Sequence, residues 1–213
     1  MNSIRRYLID KNLISHVNLF NDKLILDAGG RKNSNRGEFN KEKTNYQKWV
    51  YLNLDPMTKP DIVGDISKTN FKNEQFDVVL LIEVIEYLND PSKVFLEINR
   101  ILKKNGQLII TVPFLNPLHG DKEFDLARYT EASIKKLSKN SLFKIEKLEI
   151  MGSSIAVIFD ILRVTFSYKK NIFFKIFYIF LLILRPVIIY LYKNINFKNE
   201  YINTGYFVIL KKI

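Results

Sequence analysis

Lys23-Leu24-Ile25-Leu26-Asp27-Ala28-Gly29-Gly30 is a short apolar run that ends in an acid and then two glycines. Apolar residues without polar alternation suit a strand buried on both faces, as in a parallel sheet covered by helices. The glycines let the backbone turn sharply where it leaves that sheet, and ligands of open α/β sheets bind at such turns. A glycine turn alone decides little, since glycines interrupt chains in every fold. The pattern gains weight by recurring. Trp49-Val50-Tyr51-Leu52-Asn53-Leu54-Asp55 stops at an acid before Pro56, which cannot continue a hydrogen-bonded ladder. Asp61-Ile62-Val63-Gly64-Asp65-Ile66 repeats the pattern on a smaller scale, and Phe76-Asp77-Val78-Val79-Leu80-Leu81-Ile82-Glu83 is again closed by a carboxylate. Each of the four strand candidates therefore carries an acid at its carboxyl end, the edge where doubly wound sheets hold their ligands.

Working outward, Ile4, Leu8, Ile14 and Val17 space one face of an amphipathic helix that covers an edge of the sheet. Met1-Asn2-Ser3-Ile4 leads into no long apolar core, so no secretory signal is expected. Asp90-Pro91-Ser92 opens a helix whose buried face is Val94, Phe95, Ile98, Ile101 and Leu102. Asn105-Gly106 ends that helix, and Gln107 to Val112 returns to strand. Phe114 to Thr130 is an irregular, polar and aromatic stretch beside the binding edge, where substrate recognition usually lies. Thr130 caps a helix from Glu131 to Lys139. Leu142 to Ile150 alternates as a strand, Ser154 to Thr165 reads as a helix on the core, and Tyr206 to Leu210 is a last strand.

At the glycine turn and its repeats the chain resembles the class I S-adenosylmethionine-dependent methyltransferases, in particular their small-molecule and glycan-associated branch. Leu26-Asp27-Ala28-Gly29-Gly30 is similar to the family's glycine loop, Leu54-Asp55 to its ribose-binding acid, and Gly64-Asp65-Ile66 to its adenine edge. Phe76 to Pro91 and Arg100 to Leu108 look like its fourth strand, the following helix and its fifth strand. The resemblance covers about residues 23 to 151 and a final strand. It implies a three-layer, Rossmann-like α/β fold with a mainly parallel sheet and an antiparallel last strand, and S-adenosylmethionine as cofactor. It further implies that Asp27, Ala28, Gly29 and Gly30 surround the cofactor's methionine end, that Asp55 accepts hydrogen bonds from the ribose hydroxyls, that Asp65 and Ile66 flank the adenine, and that Glu83 lines the cleft.

Other roles compete residue by residue. Asp27 suits a helix cap, Asp65 a plain turn acid, and Glu86 a solvated charge favoured by the helix macrodipole. Arg31 departs from the family, which places a small residue there, and Arg31 to Lys48 is too polar for a full helix, so a shortened or irregular first crossover is expected. His119 is the candidate general base, because imidazole titrates near neutrality and a methylated hydroxyl must lose its proton. Arg128 either holds a phosphate or carboxylate bidentately or folds its loop by pairing with Asp121 or Asp125.

Composition bounds the rest. The chain of 213 residues is 47% hydrophobic, enough for one domain with a sizeable core and too apolar for a disordered chain. The domain reading is therefore 1–213, with 153–200 an apolar helical insertion before the last strand. Without cysteine there is neither a disulfide framework nor a thiolate metal site, and with only His16 and His119 no metal centre is expected. A reducing, cytoplasmic setting follows as the expectation. Of the formal charge of +11, +7 lies from Asp160 onward, where nine Lys or Arg face Asp160 and Glu200. That excess coincides with Ile172 to Tyr192, apolar or aromatic except at Lys175, Arg185 and Pro186. The pairing favours an anionic membrane surface over a nucleic-acid groove, with the helix broken near Pro186 and lying against the inner leaflet.

Three readings follow. The first is a methyltransferase acting on a small-molecule, glycan or lipid-linked acceptor, with O-methylation as the reaction. The second is an inactive methyltransferase-like binding module, and the third a membrane-attached interaction protein.

Overall fold

The structure, a computed structural model, describes residues 3–32, 37–118, 120, 122–168, 171–194 and 201–213. Its strands are β1 (Leu24–Ala28), β2 (Lys48–Asn53), β3 (Ile62–Val63), β4 (Phe76–Ile82), β5 (Leu102–Pro113), β6 (Phe143–Met151) and β7 (Gly205–Lys212). They form one sheet in the order β3-β2-β1-β4-β5-β7-β6. The pairs β2/β3, β1/β2, β1/β4 and β4/β5 are parallel, while β7 runs antiparallel to both β5 and β6. The strand order reverses between β1 and β4, so the topological switch point lies directly beyond the glycine turn. This is the Rossmann-like methyltransferase fold that the strand pattern and its resemblance implied.

Among the described residues, five α-helices cover the sheet: α1 (Ile4–Ser15), α2 (Pro91–Ile101), α3 (Glu131–Asn140), α4 (Ser154–Ser167) and α5 (Ile172–Asn194). The strand residues alternate between two cores, which is why the central strands read as unbroken apolar runs. Leu26, Val79, Leu81, Leu108 and Ile110 face α2 and α3, packing on Phe95, Ile98 and Ile134. Ile25, Val78, Leu80, Ile82 and Ile109 face the opposite way, onto Leu8, Leu13 and Phe159 of α1 and α4. Each such buried side chain contributes roughly 1.5–3 kcal/mol relative to exposure.

Local signals set the helix starts. The Asp90 carboxylate accepts from the Lys93 amide at 3.1 Å with Pro91 in the first turn, and the Thr130 hydroxyl accepts from the Ser133 amide at 3.2 Å. The first crossover between β1 and β2 has, among the described residues, only a single 3-10 turn at Lys41–Lys43.

Three expectations are corrected. The helix after Pro91 ends at Ile101 rather than at Asn105, because Leu102 already pairs with Phe76. Lys103 to Gly106 instead forms a bulge of β5, with Asn105 at φ 62°. Glu86 is not solvated: it is fully buried in a 3-10 turn, Ile85–Tyr87. Finally, α5 is not broken near Pro186 and continues through it to Asn194. Proline removes only the hydrogen bond to the carbonyl four residues earlier, that of Leu182, and the rest of a long helix carries on around it.

Candidate functional site

A cavity of about 390 Å³ opens beyond the carboxyl ends of β1, β2, β3 and β4, within the size range of small-molecule sites. Its wall is assembled from four separate segments: Gly29 and Arg31, then Leu52 to Asp55 with Thr58, then Gly64 to Ile66, and finally Glu83, Val84, Tyr87 and Leu88, with Gly120 at the rim. The glycine turn is held by the Gly29 amide donating to the Leu52 carbonyl at 2.8 Å and by Asn53 Nδ2 donating to the Gly30 carbonyl at 2.9 Å. Gly29 has φ +78°, and a Cβ there would overlap Val84 Cγ2, so any side chain would both strain the turn and fill the cavity. Lys32 pairs with Asp61, which also accepts from the Tyr51 amide at 2.9 Å, and this ties the glycine turn to the β2–β3 connection. Burial would raise the Asp61 carboxyl, but these hydrogen bonds outweigh it and hold the acid below its ordinary value.

Of the residues singled out by sequence, Gly29, Asp55, Asp65, Ile66 and Glu83 line this cavity together. Asp55 is exposed, and its Oδ1 caps the 3-10 turn Pro56–Thr58 by accepting from the Met57 amide at 2.9 Å. Its Oδ2 accepts no hydrogen bond from the described residues and is available to a ligand hydroxyl. Asp65 is a turn acid, its Oδ1 accepting from the Ser67 amide at 2.7 Å, and the residue is also exposed in the cavity wall. Ile66 offers a nearly buried aliphatic surface beside it.

Asp27, Ala28 and Gly30 lie behind the wall. Asp27 is 1% exposed, its carboxylate sits against the Cα of Gly30, and it accepts from the Trp49 indole at 3.4 Å. Its position supports the turn from beneath. Ala28 belongs to the core.

Glu83, at φ 54°, closes β4 and is clamped by Arg5: the guanidinium Nε and Nη2 donate to its two carboxylate oxygens, and the Thr111 hydroxyl donates at 2.9 Å. Nothing near Glu83 in sequence announces this partner, which lies 78 residues away. Arg128 is spent on its own loop. It forks onto the Asp125 carboxylate and donates to the carbonyls of Asn116 and Ala127. His119 and Asp121 lie outside the described residues.

Sequence reasoning passed over Asn53, Val84, Tyr87 and Gly120, which share the wall, and it named Arg31 only as a departure from the family at the glycine loop. Tyr87 matters most chemically. Burial, reinforced by the charges of Glu86, Asp125 and Glu83, pushes its phenol above the ordinary value, so at neutral pH it is a hydrogen-bond donor and not a base. Its position one turn after the acid that closes β4 was the available signal.

The cavity fits a nucleoside cofactor by three observations of this chain: its size, a glycine wall that admits close backbone approach, and a carboxylate oxygen free for a sugar hydroxyl. Comparison with known proteins points the same way. Residues 38–110, which run from before β2 into β5, match the family model described as a methyltransferase domain. The chain is 33% identical over 86 residues to an uncharacterized protein of Methanocaldococcus jannaschii, covering 38% of this chain and 40% of that one, so it spans well under half of that relative's length. Among solved structures it is similar to an S-adenosylmethionine-dependent methyltransferase from Mesorhizobium loti, at 12% identity and TM-score 0.60, covering 95% of this chain and 96% of that one. It is also similar to phosphoethanolamine N-methyltransferase 2 of Haemonchus contortus in complex with S-adenosyl-L-methionine, at 16% identity and TM-score 0.56, covering 95% of this chain and 52% of that one. At such identities the likeness to solved structures is one of fold. With the methyltransferase-domain match, it supports the class of S-adenosylmethionine-dependent methyltransferases and that cofactor.

Proposed function

We propose that the chain is an S-adenosylmethionine-dependent methyltransferase whose acceptor is a small molecule, a glycan or a lipid-linked glycan, methylated at oxygen. The observation that carries this reading is the cavity at the switch point, to which Gly29, Asp55, Asp65 and Ile66 come from three separate strand ends. Bound there, S-adenosylmethionine would supply an electrophilic methyl group on its sulfonium sulfur, and transfer of that methyl to an acceptor lone pair would leave the C–S bonding pair with S-adenosylhomocysteine. The protein's part is to hold donor and acceptor in contact and to exclude water. Asp55 takes the ribose hydroxyls, Ile66 packs on the adenine beside Asp65, and Gly29 lets the backbone approach. Tyr87 donates a hydrogen bond at the wall, and His119 is assigned the hydroxyl proton. Calorimetric titration with S-adenosylhomocysteine tests the reading: saturable one-site binding is expected, and no binding at millimolar concentration removes it.

The exposed face of α5 supports a membrane-linked setting. Ile172, Phe173, Ile176, Ile179, Ile183, Val187 and Tyr190, each at least half exposed, follow one another at helical spacing, while Leu181 packs inward. Ile172–Tyr192 has mean hydropathy 2.4 and is long and apolar enough to cross a membrane by length and composition. A helix packed on the fold by one side and greasy on the other suits the interface of an anionic leaflet. In flotation with phosphatidylglycerol vesicles the chain is expected to rise with the lipid, and Ile176→Glu with Ile183→Glu to leave it at the bottom. A wild-type chain that never floats ends this part of the proposal.

A further inference from the structure

A second cavity, of about 330 Å³, lies across Glu83 from the first and shares Glu83 and Gly120 with it. It is lined by Ser3, Arg5, Arg6 and Ile9 of the N-terminal helix region, by Asn116 to Leu118, and by Arg163 and Val164 of α4. Among the described residues, the charged groups on this wall are three guanidinium ions and the carboxylate of Glu83. Their acidic partners are turned away, for neither Asp10 nor Asp160 is in the lining. Asp160 is 1% exposed and accepts from the amides of Ile4 and Arg5, at 3.0 Å each. Asp10 takes one Arg6 arm at 2.6 Å and the Glu38 amide at 2.8 Å.

The three arginines are not equivalent. Arg5 is satisfied by Glu83 and by the Thr204 carbonyl at 2.8 Å. Arg6 spends one arm on Asp10, and its Nε is buried without an acceptor. Arg163 makes no hydrogen bond among the described residues: its Nε, also buried, stands 3.6 Å from Asp160 Oδ1. The donors that can reach an anion in the cavity are the Nη groups, since both Nε atoms are sealed off: among the described residues Arg163 spends neither Nη and Arg6 only the one on Asp10, and planar forks of this kind match the oxygens of phosphate and carboxylate.

We propose that this second cavity is an oxyanion site, in which Arg6 and Arg163 bind a phosphate or carboxylate group carried by the methyl acceptor. The assignment of that group to the acceptor rests on the methyltransferase reading, in which Glu83 lines the cofactor cleft, and on the second cavity sharing Glu83 and Gly120 with that cleft. The site can be tested apart from that reading. At constant ionic strength the full chain is titrated with inorganic phosphate, sn-glycerol 3-phosphate and acetate, and with monomeric dihexanoyl phosphatidic acid to separate a lipid headgroup from a free phosphate. S-adenosylhomocysteine is titrated in parallel.

Saturable binding of at least one of these anions is expected, weakened tenfold or more by Arg6→Gln and by Arg163→Gln, with S-adenosylhomocysteine affinity unchanged. Tighter binding of the phosphatidic acid than of glycerol 3-phosphate assigns the site to a lipid headgroup, and equal binding to a soluble acceptor. Should the variants fold poorly, the bound anion is expected to protect Arg163 of the wild-type chain from phenylglyoxal, read by mass spectrometry. The proposal is overturned if none of the probes binds saturably, or if binding ignores both substitutions and Arg163 is unprotected. S-adenosylhomocysteine binding without anion binding rejects this site alone. Arginine-dependent anion binding without S-adenosylhomocysteine binding rejects the methyltransferase reading and leaves the oxyanion site standing.

Discussion

Asp55→Ala is expected to weaken S-adenosylhomocysteine binding by roughly ten- to a hundredfold for each charged hydrogen bond it removes, since such a bond contributes about 1.5–3 kcal/mol. The residue sits in the cavity wall two positions beyond β2, with Oδ2 open to the ligand. Its Oδ1 also caps the turn at Met57, so alanine additionally costs about 1 kcal/mol of stability. Asp55→Asn separates the two effects, because the amide keeps one acceptor oxygen for the cap but loses the charge and the second acceptor. Calorimetry should therefore rank wild type, asparagine and alanine in falling affinity, while thermal melting drops clearly only for alanine. Unchanged affinity in Asp55→Ala removes the residue from the cofactor site.

Arg5→Met is expected to destabilise the fold by about 3–5 kcal/mol, the usual cost of stripping one partner from a buried ion pair. The Arg5 side chain is 3% exposed and that of Glu83 18%, and the same guanidinium also donates to the Thr204 carbonyl next to β7. Removing it takes the Arg5 guanidinium away from the carboxylate at the end of β4, while the Thr111 hydroxyl stays in place. Urea denaturation measures the loss, and adding Glu83→Gln to Arg5→Met should restore a large part of it. A loss below about 1 kcal/mol in the single variant, or strict additivity in the double, contradicts the pairing.

Much of the architecture was legible because its causes are short-range. The two-sided burial of β1 and β4 is written in consecutive apolar residues, and the caps at Asp90 and Thr130 need only the next three residues to act. The polar stretch after Arg31 likewise announced that no full helix links β1 to β2. The cavity was legible in part: Gly29, Asp55, Asp65, Ile66 and Glu83 were each visible as strand-end residues, and the structure gathers them. Tyr87 and Val84 were not singled out, because a wall position depends on where the neighbouring segment folds back. Glu86 misled for the same reason. Its place before a helix suggests a solvated charge, yet the loop carrying Leu126 and Ala127 folds over it and donates both amides to its carbonyl.

By itself, then, the sequence determined the alternation of strand and helix, the mainly parallel sheet and the row of carboxylates along one of its edges, since periodicity, caps and turn residues act within a few positions of themselves. Only the tertiary structure decided that Arg5 reaches Glu83, that Asp27 supports the glycine turn from behind, that α5 passes Pro186 unbroken, and that α1 and α4 close a second, arginine-lined cavity against the first. Those outcomes depend on which distant segments the assembled sheet brings within hydrogen-bond range, and no local pattern specifies that.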